Sequence, residues 1–104
     1  MLGIDIVQIS RVKLEESFIK YILTPDEEEE LSSRPTDNSK KEYIAGRFAV
    51  KEAIFKATQD QTYLNYCCLN GKNGKPYIKN HPEIDVSIAH DGGIATAIVQ
   101  ITKW

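Results

Sequence analysis

The sequence predicts a small α+β domain in which antiparallel strands pack on helices. Three observations carry this. Leu2, Ile4 and Ile6 alternate with Gly3, Asp5 and Val7, a period-two strand signal. The longest helical segment runs from about Ser39 to Thr58. Two dense turn clusters, Asn70-Gly71-Lys72-Asn73-Gly74 and Asp91-Gly92-Gly93, each join a pair of strand-like runs into a hairpin. A chain of 104 residues makes one domain, spanning 1–104.

The first strand carries Asp5 at its middle, facing away from the Leu2/Ile4/Ile6 side. Asp is depleted in strands, so its place there asks for a reason. Ser10 then reads as the N-cap of a helix over roughly Arg11–Leu23, with Leu14, Phe18 and Ile22 as its i, i+4, i+8 stripe. Thr24-Pro25-Asp26-Glu27 is a second helix start, with Thr as cap and Pro at the first helical position. The acidic run Glu27–Glu30 reads as an exposed first turn matched to the helix dipole. Ser32 through Lys41 is polar, contains Pro35 and reads as a loop. Beyond the long helix, Tyr63–Leu69 reads as a strand and Pro76–Lys79 as its returning partner. Asn80-His81-Pro82-Glu83 turns the chain again, and Ile84–Ala89 and Ile94–Ile101 form the second hairpin.

Composition narrows the function classes. Lys and Arg number 13 against 15 Asp and Glu, a formal charge of -2, without the broad basic surface of a general nucleic-acid binder. With 41% hydrophobic and 27% charged residues, the balance is that of a globular domain, not a disordered chain. No apolar run approaches the ~18 residues of a membrane span. Met1-Leu2-Gly3-Ile4-Asp5 has neither the basic lead nor the cleavage site of a signal peptide. The two cysteines, Cys67 and Cys68, are adjacent, where a bridge is strained. They read as free thiols of a reducing cytoplasm, and zinc-finger spacing is absent. A chain this short buries only ~60–70% of its unfolded surface, so a large ligand fits most naturally at an oligomer interface.

The long helix does not pattern as a surface helix. On a wheel at about 100° per residue, Ile44, Phe48 and Phe55 cluster on one side, while Ala49, Ala53, Val50 and Ile54 fill another. Its charged residues occupy two narrow strips, Arg47 with Lys51 and Glu52 with Lys56. A helix apolar on two faces packs on both, with its charges at the edges of the packing layers. Glu52 and Lys56 are spaced for an ordinary i, i+4 ion pair. The second reading makes them a hard oxygen ligand and a phosphate-contacting cation. Asp5, a second carboxylate in an apolar strand, adds weight to that second reading, because Mg²⁺ is held by one or two carboxylates plus substrate phosphates.

Three blocks resemble a known family: Gly3-Ile4-Asp5-Ile6-Val7 followed by Arg11-Val12, then Ala45 through Ala57 with its Lys51-Glu52 and Lys56, then Val86-Ser87-Ile88-Ala89-His90. Asn73-Gly74-Lys75-Pro76-Tyr77 and Leu23-Thr24-Pro25 add to the likeness. In this order, along nearly the whole chain, they resemble the holo-[acyl-carrier-protein] synthases, the small 4'-phosphopantetheinyl transferases. The resemblance implies the phosphopantetheinyl transferase fold and a homotrimer with sites between subunits. It implies transfer of the phosphopantetheine arm of coenzyme A to a serine of apo acyl carrier protein, with adenosine 3',5'-bisphosphate released. Asp5 and Glu52 match the family's Mg²⁺ ligands, and Lys56 a phosphate or proton-transfer group. Beside Glu52 and phosphates a lysine is an electrostatic stabiliser before it is a base. Arg47 matches a contact to the 3'-phosphate, Asn73, Gly74, Lys75 and Pro76 flank the adenine side, and His90 lines the nucleotide pocket from a neighbouring subunit. Arg11 matches a carrier-docking residue. The first helix is less basic than the family's, with Glu15 and Glu16 beside Lys13 and Lys20, and Ala89 stands where relatives carry a hydroxyl. A non-catalytic nucleotide- or protein-binding module and a Mg²⁺-dependent phosphohydrolase are the competing readings.

Overall fold

Strict alternation makes β1 (Leu2–Gln8), but the side turned inward is the one with the smaller residues. The structure, a computed structural model, describes residues 1–102. Helices α1 (Glu16–Ile22), α2 (Pro25–Ser32) and α3 (Asp37–Thr58) follow β1, and then come β2 (Cys68–Asn70), β3 (Pro76–Ile78), β4 (Ile84–Asp91) and β5 (Ile94–Ile101). The main sheet has the order β1-β5-β4, all antiparallel, and β2-β3 is a separate hairpin. This is the α+β arrangement the sequence predicts.

Pairing sets Asp5 opposite Ala97 and Ile4 opposite Ile98, so the sheet has two distinct faces. Gly3, Asp5, Ala95, Ala97 and Val99 share the face toward α3. Gly3 is required there: a Cβ at this position would stand 1.8 Å from the Ala53 carbonyl oxygen. The missing side chain lets strand and helix backbones touch. Leu2, Ile4, Ile6 and Ile98 occupy the other face and are 44–66% exposed. The first strand thus presents its large apolar residues outward.

α3 is packed on both sides, as its wheel predicts. Ala49, Val50, Ala53 and Ile54 join Cys68, Val86, Ala97 and Val99 in one core. Tyr43, Ile44 and Ala45 join Val12, Ile22 and Leu23 in a second. A capping box closes the N-terminus of α3, in which Thr36 Oγ1 accepts from the Ser39 amide at 3.0 Å. At the other end Gln59 takes φ 69°, a left-handed stop.

Four expectations need correction. The helix expected over Arg11–Leu23 is a 3₁₀ turn at Ile9–Arg11, an extended link, and a shorter α1 whose N-cap is Glu15. Ser10 does not cap it. Val12 is extended and 4% exposed, and seating it in the second core breaks the helix that periodicity alone suggests. The strand expected over Tyr63–Leu69 begins as a 3₁₀ turn, Tyr63–Asn65, and only Cys68–Asn70 pairs with β3. There Tyr63 packs its ring between Tyr21 and Phe48, which an extended pairing does not allow. The acidic run is not an exposed turn, because Glu27 is fully buried. Glu52 and Lys56 do not pair with each other: Lys56 reaches Asp5, and Glu52 is held by Tyr63.

Candidate active site

The buried charges of α3 are joined to α2 first. Lys51 Nζ donates to Glu27 Oε1 and to the Ile22 carbonyl, both at 2.6 Å. Glu27 also accepts from the Thr24 and Cys68 amides, each at 2.8 Å. Burial pulls the Lys51 ammonium below its usual range, and the Glu27 carboxylate opposes this. One turn earlier on α3, Arg47 Nε donates to the Cys68 carbonyl at 3.0 Å, and Nη2 reaches Glu30 Oε1 at 3.2 Å and Asn70 Oδ1 at 3.0 Å. The guanidinium also lies 4.2 Å from the centre of the Tyr43 ring. Burial, opposed by Arg47, raises the Tyr43 hydroxyl far above the usual tyrosine range, so it stays a donor to Glu30. These contacts fix which faces of α3 remain for chemistry.

One cleft of about 350 Å³ is lined by Asp5, Arg11, Phe18, Phe48 and Glu52, among others. β1 brings Asp5 to it, the 3₁₀ turn brings Arg11, and α3 brings Glu52. Asp5 Oδ1 accepts from Lys56 Nζ at 3.0 Å. Lys56 is about half exposed, so this contact is well solvated. Glu52 Oε1 accepts from the Tyr63 hydroxyl. Burial, with the Glu52 carboxylate, pushes the Tyr63 hydroxyl up to about 12, so it is a donor at neutral pH.

A second cleft of about 210 Å³ gathers Arg47, Gly74, Pro76 and His90, together with Arg34 and Asn70. Gly74 has φ 83°, the left-handed conformation that suits glycine at this turn. Asn73 does not line this cleft; its Oδ1 accepts from the Lys75 amide at 3.0 Å and shapes the turn. Lys75 lines a groove against β3 and β4 instead. His90 Nδ1 lies 3.7 Å from Glu42. Arg47 is only 4% exposed and largely committed to the fold, with Nη1 left unpartnered among the described residues.

The two clefts share no lining residue. Arg47 and Glu52 lie about 140° apart around α3, which is why the site residues separate into two groups. Sequence reasoning missed Arg34, Glu30 and Tyr63. Arg34 sits in a segment read as loop, and Tyr63 in one read as strand. The hydrophobic pattern holds no signal that would send either to a site.

Residues 1–99 match the model of the 4'-phosphopantetheinyl transferase superfamily. The chain belongs to that superfamily. A holo-[acyl-carrier-protein] synthase of Mycoplasma mycoides subsp. mycoides SC is 39% identical over 98 residues, covering 92% of this chain and 88% of the relative. Among solved structures, the holo-(acyl-carrier-protein) synthase of Bacillus anthracis in complex with CoA (3',5'-ADP) has a TM-score of 0.82 at 32% identity, covering 94% of this chain and 91% of that one. The Helicobacter pylori synthase in complex with coenzyme A has a TM-score of 0.80 at 28% identity, covering 97% of this chain and 99% of that one. The phosphopantetheinyl transferase fold is therefore that of this chain, and among its described residues no helix is long and apolar enough to cross a membrane.

Proposed function

We propose that this chain transfers the 4'-phosphopantetheine arm of coenzyme A to a serine of apo acyl carrier protein, releasing adenosine 3',5'-bisphosphate. The observation that carries the reading is the cleft in which Asp5 and Glu52 meet beside Lys56. The donor set fits Mg²⁺. Each carboxylate has one oxygen engaged, Oδ1 by Lys56 and Oε1 by Tyr63, and one oxygen without a partner among the described residues. No group of three His, Cys, Asp or Glu side chains converges as a metal site among those residues. Two carboxylates completed by substrate phosphates and water match the way Mg²⁺ is commonly held. Bound there, the ion would neutralise the diphosphate as its P–O bond lengthens.

The side chains of this chain do the rest. Asp5 and Glu52 orient the diphosphate end. Lys56, half exposed, can swing from Asp5 to a phosphoryl oxygen and stabilise the charge that builds there. Arg34, the free Nη1 of Arg47 and His90 suit the nucleotide's 3'-phosphate, with the Gly74-Pro76 turn beside the adenine. Arg11, exposed at the mouth of the first cleft, faces the acidic carrier and speeds encounter.

One coenzyme A must touch both clefts, and a single chain holds them apart. A homotrimer that sets the first cleft of one subunit against the second cleft of its neighbour resolves this. The exposed face of Leu2, Ile4, Ile6 and Ile98 is the surface such an assembly would bury. Free Cys67 and Cys68 suit a cytoplasmic enzyme of lipid assembly.

The test is to incubate the protein with coenzyme A, Mg²⁺ and apo acyl carrier protein, then weigh the carrier intact. Its mass is expected to rise by one phosphopantetheine arm, and EDTA or Glu52→Gln to prevent this. No gain from a folded, metal-loaded sample with several carriers would favour the binding module.

A further inference from the structure

Tyr63 lies outside both clefts yet holds one of the carboxylates. Its hydroxyl donates to Glu52 Oε1. The ring that presents this hydroxyl is fixed edge-on against Tyr21 of α1, with centroids 5.5 Å apart, and against Phe48 of α3, at 5.9 Å. Phe48 is itself set edge-on to Phe18 at 6.2 Å. Four aromatic rings from α1, α3 and the 3₁₀ turn at Tyr63–Asn65 thus leave the hydroxyl little freedom. The turn is held in place as well: Asp60 Oδ1 accepts from the Thr62 amide at 2.9 Å and Oδ2 from the Tyr66 hydroxyl at 2.7 Å.

We propose that Tyr63 is a positioning residue for Glu52, tying down Oε1 so that Oε2 is the oxygen offered to a divalent cation. This rests on Glu52 being a ligand, as argued above. The contrast with Asp5 supports it. The partner of Asp5 is the half-exposed cation Lys56, whose charge repels an arriving metal. The partner of Glu52 is a neutral donor that a metal need not displace and does not repel. A hydrogen bond of this kind to a ligating carboxylate fixes its rotamer, and removing one typically lowers metal affinity about 10- to 100-fold.

The test is Tyr63→Phe, which keeps the ring and removes only the hydroxyl. Mn²⁺ binding to the coenzyme A-loaded protein, followed by electron paramagnetic resonance without carrier, is expected to weaken about tenfold. The Mg²⁺ concentration for half-maximal transfer should rise by about the same factor, with KM for the carrier unchanged. Replacing Tyr63 by 4-aminophenylalanine, which restores a donor on the same ring, should bring Mn²⁺ affinity back to within about threefold of wild type. Glu52→Gln should abolish Mn²⁺ binding outright. If Tyr63→Phe binds Mn²⁺ like wild type while Glu52→Gln does not bind it, the role of Tyr63 is refuted and Glu52 stays a ligand. If 4-aminophenylalanine fails to restore what Tyr63→Phe loses, a hydrogen-bond donor on this ring is not what supports the metal, and the proposal falls. If Glu52→Gln also binds like wild type, the ligand assignment fails and the role of Tyr63 with it.

Discussion

Lys51→Met isolates the buried ion pair. The substitution keeps the length of the side chain and removes the ammonium. What remains is a fully buried Glu27 carboxylate that has lost its only cation among the described residues, and an Ile22 carbonyl that has lost its donor. Removing one partner of a buried pair costs about 3–5 kcal/mol. Glu27 keeps three donors, the Thr24 amide and hydroxyl and the Cys68 amide, which places the cost near the lower bound. The stranded carbonyl adds roughly 1 kcal/mol, so the total is about 4 kcal/mol. A chain of this size holds about 5–15 kcal/mol in all, so the variant should fold but marginally. With a urea slope of roughly 1–2 kcal/mol per molar, the midpoint should fall by about 2–4 M. The assay is urea unfolding followed by far-ultraviolet circular dichroism at fixed protein concentration. Adding Glu27→Gln should recover part of the loss, because a neutral amide tolerates the missing cation. A Lys51→Met cost below about 1 kcal/mol with an unchanged slope would refute the reasoning.

Three further outcomes follow from the same geometry. Gly3→Ala puts a Cβ where the Ala53 carbonyl stands, so β1 and α3 must separate; transfer should drop more than about 100-fold, while far-ultraviolet dichroism stays near wild type. Ile4→Lys, on an exposed face, should cost a single chain under about 0.5 kcal/mol yet dissociate the proposed trimer, read by sedimentation velocity, and abolish transfer. Burial pushes the Cys68 thiol from 9.0 to about 11, so the folded state holds a proton there that the unfolded state releases above pH 9. That contribution is complete below pH 9 and is lost as pH rises to 11, at up to about 1.4 kcal/mol per pH unit. Cys68→Ala should flatten the urea midpoint against pH in this window.

The sequence made the sheet legible because its strands alternate in the simplest way. The 22-residue helix was legible because its wheel excluded an exposed role. The shortened α1 was hidden because Leu14, Phe18 and Ile22 keep helical spacing whether or not the chain is helical at Val12. Only the burial of Val12 decides it. Asp5, Glu52 and Arg11 could be named in advance and do line one cleft, as Arg47, Gly74, Pro76 and His90 line another. The partners of these groups could not be named. Lys56 is four residues from Glu52 but reaches Asp5, 51 residues away, and Glu27 finds Lys51 across 24. Such pairings depend on how three elements cross, which no spacing along one element records.

The double-sided packing of α3 also bears on how this chain can diverge. Of the twelve residues from Tyr43 to Ile54, all but Phe48 and Glu52 are buried. Most of what makes this segment recognisable is therefore demanded by the fold, whether or not the protein turns over substrate. A descendant that lost activity would keep nearly the whole block, including Lys51 beside Glu52. On the proposed roles, its loss would show first at Glu52, which packing leaves partly exposed, and at Lys56, half exposed just beyond the stretch. Among diverged copies, those two side chains would report on the proposed chemistry, and their neighbours on folding.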